Sequence, residues 1–334
     1  MDVRLPTSDG KRHHWHRPAT AATRVDLGFA WHAEEMASAK TTVEVDGRTL
    51  QLTNLDKVLY PETGFTKGEV IDYYAKVAEV LLPRLADRLL TRKRWPDGTG
   101  SGSFFEKNKP RGTPDWVRTE LMAEHGDDGV EYVVAEGLPT LVWLANLAAL
   151  ELHVPQWKVG PRGGVLDADL VVFDLDPGAP ADIIDCCDVA TALRQILEAD
   201  GLTAYAKTSG NKGAQLYVPI EPASSRRTSA YAKRLADQLA EALPDLVVSS
   251  MERKQRTGKV FIDWSQNNAA KTTIAPYSLR GVARPTVSTP VTWDEVSSAE
   301  RAADLTFVAA DVLERIGDVG DLLADVDAKA RPLP

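Results

Sequence analysis

Hydrophobic and polar positions change their period several times along the chain, and each change marks an element. Residues 42–52 alternate as paired strands do and turn at Asp46-Gly47, a dipeptide that accepts the positive φ of a tight hairpin. Thr66-x-x-Glu69 has the form of a capping box, in which two side chains satisfy the first free backbone N–H groups of a helix. That amphipathic helix is predicted to run to about Leu85. Residues 138–152 are apolar on nearly every face and predict a buried helix leading into the extended segment His153-Val154-Pro155. Residues 170–176 form a strand that ends in the turn Pro177-Gly178. Residues 183–199 repeat apolar positions at helical spacing and stop before Gly201. A further helix is predicted over 229–243 and a strand over 259–264. The last forty residues are predicted helical, with capping-box starts at Thr292 and Ser297. Strands alternating with helices, with hairpins mixed in, give an α/β or α+β fold class.

Composition narrows the class. At 334 residues, 43% hydrophobic and 26% charged, the chain can bury one large core or two modest ones, which excludes a disordered polymer. No apolar stretch approaches the roughly 20 residues that span a bilayer, and the first forty residues lack the apolar core of a signal peptide, so a cytoplasmic location and no membrane partner are expected. Those forty residues are polar, carry His13, His14 and His16 around Trp15, and are expected to be an N-terminal extension to a domain over 41–334. Cys186 and Cys187 are adjacent in a helical run, where neither a disulfide framework nor a CxxC metal knuckle can form, so they are read as helix packing.

The net charge of −9 hides an uneven distribution. Residues 88–118 hold eight Lys/Arg against three Asp/Glu, and residues 253–284 hold seven against one. From 292 to the end the balance inverts, with ten acidic residues against four basic ones. Two basic islands in an acidic chain predict a localised polyanion site.

Asp174-Leu175-Asp176 follows four apolar residues, so in a strand its two carboxylates share one face, about 7 Å apart at the backbone. Hard cations such as Mg²⁺ or Mn²⁺ take carboxylate and phosphate oxygens, and two of them about 4 Å apart support phosphoryl transfer. Asp263 interrupts another apolar run and is the candidate third carboxylate. The same Asp-x-Asp also opens haloacid-dehalogenase phosphatases, occurs in metal-dependent glycosyltransferases, and can be a plain strand-ending turn. Thr208-Ser209-Gly210-Asn211-Lys212-Gly213 lies between two strand-like segments and offers backbone N–H, Ser and Lys groups to an anion; it is not a Walker A loop, and a hairpin turn explains its glycines almost as well. Lys271 and Arg280 follow Asp263 closely enough to reach a triphosphate tail. Arg92-Lys93-Arg94-Trp95 and Phe104-Phe105-Glu106-Lys107 interleave cations with aromatics, as a surface that grips phosphates and stacks bases does.

Taken together, Leu52-Thr53-Asn54-Leu55-Asp56-Lys57-Val58-Leu59-Tyr60-Pro61, Arg92-Lys93-Arg94-Trp95-Pro96, Phe104-Phe105-Glu106-Lys107, Glu151-Leu152-His153-Val154-Pro155-Gln156-Trp157, Phe173-Asp174-Leu175-Asp176-Pro177-Gly178, Asp263-Trp264-Ser265-Gln266-Asn267 and Ala275-Pro276-Tyr277-Ser278-Leu279-Arg280-Gly281 resemble the polymerase domain of bacterial DNA ligase D, a branch of the archaeo-eukaryotic primase superfamily. The resemblance covers about residues 42–325. It implies a primase-polymerase fold of two packed α/β modules around a cleft, with two Mn²⁺ or Mg²⁺ ions on Asp174, Asp176 and Asp263 and with Arg256 supporting the site from a mobile loop. It implies that His153, Ser209, Lys271 and Arg280 hold a nucleoside triphosphate, often a ribonucleotide. Lys57 and Lys67, with Asn54, match a pocket for a downstream DNA 5′-phosphate, and Lys93, Arg94, Phe104 and Phe105 match the template-contacting segment.

Gln215 stands where the family has a His that contacts the nucleotide phosphates; an amide still donates a hydrogen bond but carries no charge. No Lys-x-Asp-Gly ligase motif occurs, so a stand-alone relative is expected, acting in gap filling or end joining beside a separately encoded ATP-dependent ligase or Ku. The competing expectations are a non-catalytic DNA-end binding protein and, further off, an Asp-x-Asp phosphatase.

Overall fold

The structure, a computed structural model, describes residues 40–123 and 129–334, and the expected extension with His13, His14 and His16 lies outside the described residues. A seven-stranded sheet is built on the strand Val165–Pro177, in the order Val247–Val248, Val260–Asp263, Val165–Pro177, Ala214–Ala223, Tyr205–Thr208, Pro290–Val291, with Trp157–Val159 also paired to the long strand. Its alternation decides what faces where: Val171, Phe173 and Leu175 are fully buried in the core formed with helices Ile183–Ala199 and Ser225–Ala242. The residues between them, Asp174 and Asp176, turn to the opposite face. Between the stretches where Trp157–Val159 and Val260–Asp263 pair with the long strand, Asn267 substitutes for a strand by donating to Val172 O and accepting from Val172 N, both at 2.8 Å.

A second, four-stranded sheet has the order Thr273–Ile274, Ala149–Val154, Thr91–Arg94, Phe104–Glu106. Helices Lys67–Lys76 and Leu138–Asn146 share its hydrophobic core. The mixed α/β class is therefore as expected, and the two sheets meet along one cleft.

Several local expectations hold. The hairpin pairs Lys40–Val45 with Arg48–Thr53 and turns at Asp46 and Gly47, both at positive φ. Helix Ile183–Ala199 has the expected bounds, and Cys186 and Cys187 are buried in it, Cys186 Sγ lying 3.5 Å from Leu175 O. The Thr66–Glu69 and Thr292–Glu295 capping boxes are both formed.

Others shift. The run 138–152 is two elements: the helix ends at Asn146, Ala148 takes a positive φ, and Ala149–Val154 is a strand. Apolarity on every face suits a buried helix and a buried central strand equally, so the run alone does not locate the break. The helix expected to reach Leu85 breaks at Val77 into Lys67–Lys76 and Ala78–Leu85. The strand over 170–176 extends to Val165–Pro177, and the strand over 259–264 covers Val260–Asp263, because Trp264 opens a 3₁₀ turn. The helix expected from 229 starts at Ser225, capped by Ser224, whose hydroxyl accepts from Arg227 N. Ser297 starts no helix; it closes Trp293–Ser298, and the next α-helix is Ala309–Val319. Among the described residues no helix is long and apolar enough to cross a membrane.

Candidate active site

A row of polar residues crosses the larger sheet beneath the cleft; Asp174 and Gln215 line the cavity, while Asp263 and Lys207 are buried beside them. Asp174 pairs with Asp263 on one neighbouring strand and with Gln215 on the other, and Gln215 pairs in turn with Lys207. Asp176 lies two residues along the same face. Sheet register thus brings together two aspartates that are 89 positions apart in the chain, at 174 and 263.

These carboxylates are engaged by neutral donors. Gln215 Nε2 donates to Asp174 Oδ1 at 2.8 Å, and Gln266 Nε2 donates to Asp263 Oδ2 at 3.0 Å with Asp174 Oδ2 at 3.5 Å. Asp263 Oδ1 accepts from Ser265 N at 3.0 Å and from Ser265 Oγ at 2.5 Å. Among the described residues no three His, Cys, Asp or Glu side chains are gathered in a ligating arrangement about one point. The donor set nonetheless suits a hard divalent cation: three carboxylates stand with two amide oxygens, Gln215 Oε1 and Gln266 Oε1, that are buried and have no hydrogen-bond partner.

Burial, followed by the charges of Asp176 and Asp263, pushes the Asp174 carboxyl up to about 7, against the hydrogen bond from Gln215 and the charge of Lys207. Burial and Asp263 raise Asp176 as well, with Arg256 and Arg280 acting the other way. Lys207 is fully buried, bonded to Ser288 Oγ, and burial holds its ammonium well below the usual lysine range.

The cleft encloses about 700 Å³, and His153, Asp174, Asp176, Ser209, Lys212, Gln215, Arg256, Gln266 and Arg280 line it. Ser209 begins the turn between Tyr205–Thr208 and Ala214–Ala223, and its Oγ accepts from Asn211 N and Gly213 N at 3.3 and 3.2 Å. Arg256 lies with its guanidinium 3.5 Å from the Phe261 ring centroid and donates to Met251 O at 3.1 Å. The loop that carries it is tied to the end of the carboxylate strand just after it, since Gly178 N donates to Lys259 O and Gly258 N to Gly178 O, both at 2.8 Å. A Cβ on Gly178 would stand 2.0 Å from Arg256 O, so only glycine permits this approach. Lys271, expected at the triphosphate, is exposed and outside the lining, where Thr272 and Thr273 stand instead. Gln215 is in the lining, but its amide hydrogen is directed to Asp174.

The four-stranded sheet supplies the other wall. His153 Nε2 lies 2.8 Å from Glu151 Oε2, and the Phe105 ring meets the imidazole edge-on at 5.6 Å. Phe104 and Phe105 are 45% and 60% exposed, unusual for large aromatics. Lys93 lies over the Trp95 and Phe105 rings, and Arg94 over Phe104. Arg94 is also held by Leu147 O at 2.9 Å and by Glu106 at 3.1 Å.

Beside this wall, Lys57 and Lys67 come together, Lys67 N donating to Lys57 O at 2.8 Å. Lys57 Nζ pairs with Asp97 at 2.8 Å, and the buried Lys67 Nζ donates to Thr53 O at 2.5 Å. Burial, then the charges of Lys57 and Arg94, lowers the Lys67 ammonium to about 8. Asn54 is exposed, in a turn at positive φ in which its carbonyl accepts from Lys57 N. Sequence reasoning offers Lys212 to an anion, a role it can take in the cleft lining, but assigns none to Gln266, Lys207 or Glu151. Gln266 stands three residues after Asp263 and Glu151 two before His153, and that spacing was the available signal.

A family model described as LigD, primase-polymerase domain, matches residues 66–323. The multifunctional non-homologous end joining protein LigD of Mycolicibacterium smegmatis is 48% identical over 284 residues, 84% of this chain and 36% of that protein. The bifunctional non-homologous end joining protein LigD of Bacillus subtilis is 37% identical over 273 residues, 81% of this chain and 43% of that protein. The chain spans less than half the length of these relatives. Among solved structures, the polymerase domain from Mycobacterium tuberculosis ligase D in complex with DNA matches with a TM-score of 0.79 at 46% identity, covering 84% of this chain and 99% of that one.

Proposed function

The chain belongs to the LigD primase-polymerase domain family, and from that premise we propose that it is a template-directed nucleotidyltransferase acting on gapped or broken DNA that carries a 5′-phosphate. Its reaction joins the primer 3′-oxygen to the α-phosphorus of an incoming nucleoside triphosphate, preferentially a ribonucleotide, with release of pyrophosphate and the hydroxyl proton, in gap filling or end joining. The observation that carries this reading is the set of three aspartates on one face of the larger sheet, two of which, Asp174 and Asp176, line a cleft shared with His153 of the smaller sheet, whose imidazole meets the exposed Phe105 ring.

Asp174, Asp176 and Asp263 would hold two Mg²⁺ or Mn²⁺ ions, which supply charge neutralisation at the phosphates and activation of the primer hydroxyl. His153, Ser209, Lys212 and Arg280 hold the triphosphate, and Gln215 positions Asp174. Arg256 leaves the Phe261 ring for the substrate when the site fills, its anchored backbone letting the side chain move alone. Phe104 and Phe105 stack on the template, Lys93 and Arg94 neutralise its backbone, and Lys57 and Lys67 take the 5′-phosphate with Asn54 shaping their turn. Residues 1–40 are an extension to this domain, and a DNA ligase or Ku is the expected partner.

The test is primer extension on gapped, nicked, overhanging and unprimed DNA, with ribo- and deoxyribonucleotides and with each metal. Ribonucleotide addition that is strongest at a 5′-phosphorylated gap is expected. Tight DNA binding with no incorporation on any substrate would instead identify an end-binding protein, and hydrolysis of an aryl phosphate without incorporation a phosphatase.

A further inference from the structure

Glu151 stands two residues before His153 in the strand Ala149–Val154, so the two side chains share a face. Its carboxylate is only 3% exposed, yet it has partners from two segments of the chain. His153 Nε2 lies 2.8 Å from Oε2, Gly281 N donates to Oε1 at 3.0 Å, and Arg280 Nε forms an ion pair with Oε1 at 3.5 Å. The segment carrying Arg280 and Gly281 is clamped to the strand by Ala275 N on Leu152 O and Leu152 N on Ser278 Oγ, both at 2.9 Å. Tyr60 adds a bond from its hydroxyl to Arg280 O at 2.9 Å. Gly281 is in van der Waals contact with Trp95, where a Cβ would stand 2.1 Å from the ring.

An ionised carboxylate is costly to bury, and capping one backbone N–H requires only a neutral amide. The anion does two things that an amide cannot. It accepts at both oxygens, which fixes His153 as the Nε2–H tautomer and leaves Nδ1 available to a ligand. It also draws the Arg280 guanidinium towards the cleft that His153 lines. Its acid form is disfavoured in keeping with this: burial pushes Glu151 up, but His153, Arg280 and the Gly281 N–H together bring it below the usual carboxylate range.

We propose that Glu151 is a positioning residue for the incoming nucleotide, holding His153 and Arg280 in one fixed arrangement on the cleft wall. Because the Phe105 ring packs against the His153 edge, the same anchor sets the distance between the nucleotide pocket and the exposed aromatic wall. The inference rests on the reading above that His153 and Arg280 hold a triphosphate.

The experiment compares native protein, Glu151→Gln, His153→Ala and the double variant in single-turnover extension on gapped DNA, with thermal melts and ¹⁵N imidazole spectra of the nucleotide-free protein. Glu151→Gln is expected to weaken apparent nucleotide affinity about tenfold while the maximal rate falls less than about threefold and DNA affinity holds. In the His153→Ala background the same change should cost only about twofold, since one of the two side chains that Glu151 positions is gone. The native imidazole should report Nε2–H, and the variant a mixture of tautomers. Native protein that incorporates no nucleotide overturns both this inference and the proposed function. Incorporation with nucleotide affinity indifferent to Glu151→Gln, equal losses in both backgrounds, or a native Nδ1–H imidazole overturns this inference alone.

Discussion

The two walls of the cleft handle charge in opposite ways. On the larger sheet three carboxylates are crowded together, hydrogen-bonded by amides and a hydroxyl and, among the described residues, paired directly with no cation. Burial and mutual repulsion push Asp174 and Asp176 towards their acid forms against the charges of Lys207, Arg256 and Arg280. On the smaller sheet and the segments beside it the cations already have internal partners: Arg92 and Arg94 share Glu106, Lys57 has Asp97, and Lys67 has the Thr53 carbonyl. The first wall has an unmet electrostatic demand that a cation would relieve. The second can bind phosphate only by sharing or exchanging partners. A ligand should therefore change stability chiefly through the first wall and discriminate among DNA ends through the second.

The strongest way to separate the walls is to delete the acids. Asp174→Ala or Asp263→Ala is expected to lower incorporation by about a thousandfold or more while gapped-DNA affinity changes by less than about twofold, because in the proposed function those carboxylates hold the metals, and as anions they repel the DNA backbone. Extension rates and DNA titrations on the same preparations measure both, and a near-native rate in either variant would remove the three-aspartate assignment.

A subtler change keeps the shape and removes the charge. With Asp174 at about 7, the folded protein retains a proton that the unfolded chain releases near the ordinary aspartate value of about 4. Metal-free stability should therefore fall as pH rises from about 4 to 7, then level off. Asp174→Asn should reduce that slope, leaving the smaller part due to Asp176, and raise the metal-free melting temperature at pH 8 by about 3–6 °C, with little difference at pH 4.5. The asparagine keeps an oxygen to accept the hydrogen bond from Gln215 Nε2. Melts across pH with and without Mn²⁺ check this, and a variant less stable than native at pH 8 would mean that the acids are not frustrated.

On the second wall, Lys57→Ala with Lys67→Ala should weaken binding to a 5′-phosphorylated gap about tenfold and leave a 5′-hydroxyl gap nearly unaffected. Since Lys67 loses its charge near 8, the native preference for phosphate should decline between pH 7 and 9. Equal losses on both DNA ends would show general backbone contacts instead. The smallest expected effect sharpens the same point. Asp97→Asn frees Lys57 from an exposed ion pair and should strengthen 5′-phosphate binding about two- to threefold at low salt, with the gain shrinking as salt rises.

Local rules made much of this molecule readable without coordinates. Helix Ile183–Ala199, the two capping boxes, the Asp46-Gly47 hairpin and the packing role of the cysteine pair all depend on residues within a turn or two of one another. The period-2 alternation also put Asp174 and Asp176 on one face, and an acid interrupting an apolar run singled out Asp263. Where local preference was ambiguous, tertiary packing chose: the all-apolar run 138–152 became a helix and a central strand once Leu150 and Leu152 had a sheet to join.

What a polar side chain does was rarely decided locally. Register alone set Asp263 opposite Asp174, and it directed Gln215, expected at the phosphates, to the Asp174 carboxylate. Lys271, expected at the triphosphate from its place after Asp263 and from the family resemblance, stands exposed outside the cleft lining. Glu151 and Gln266 acquire meaning only from what they face, Gly281 at 130 positions' separation and Asp174 at 92. Backbone propensity acts over the few residues of one turn or one strand, so sequence by itself determined most of the elements and their faces, though not the breaks within the apolar run 138–152 or at Val77. Hydrogen bonds and charge pairs form between whichever atoms packing brings within about 3 Å, and for this site only the tertiary structure decided which those were.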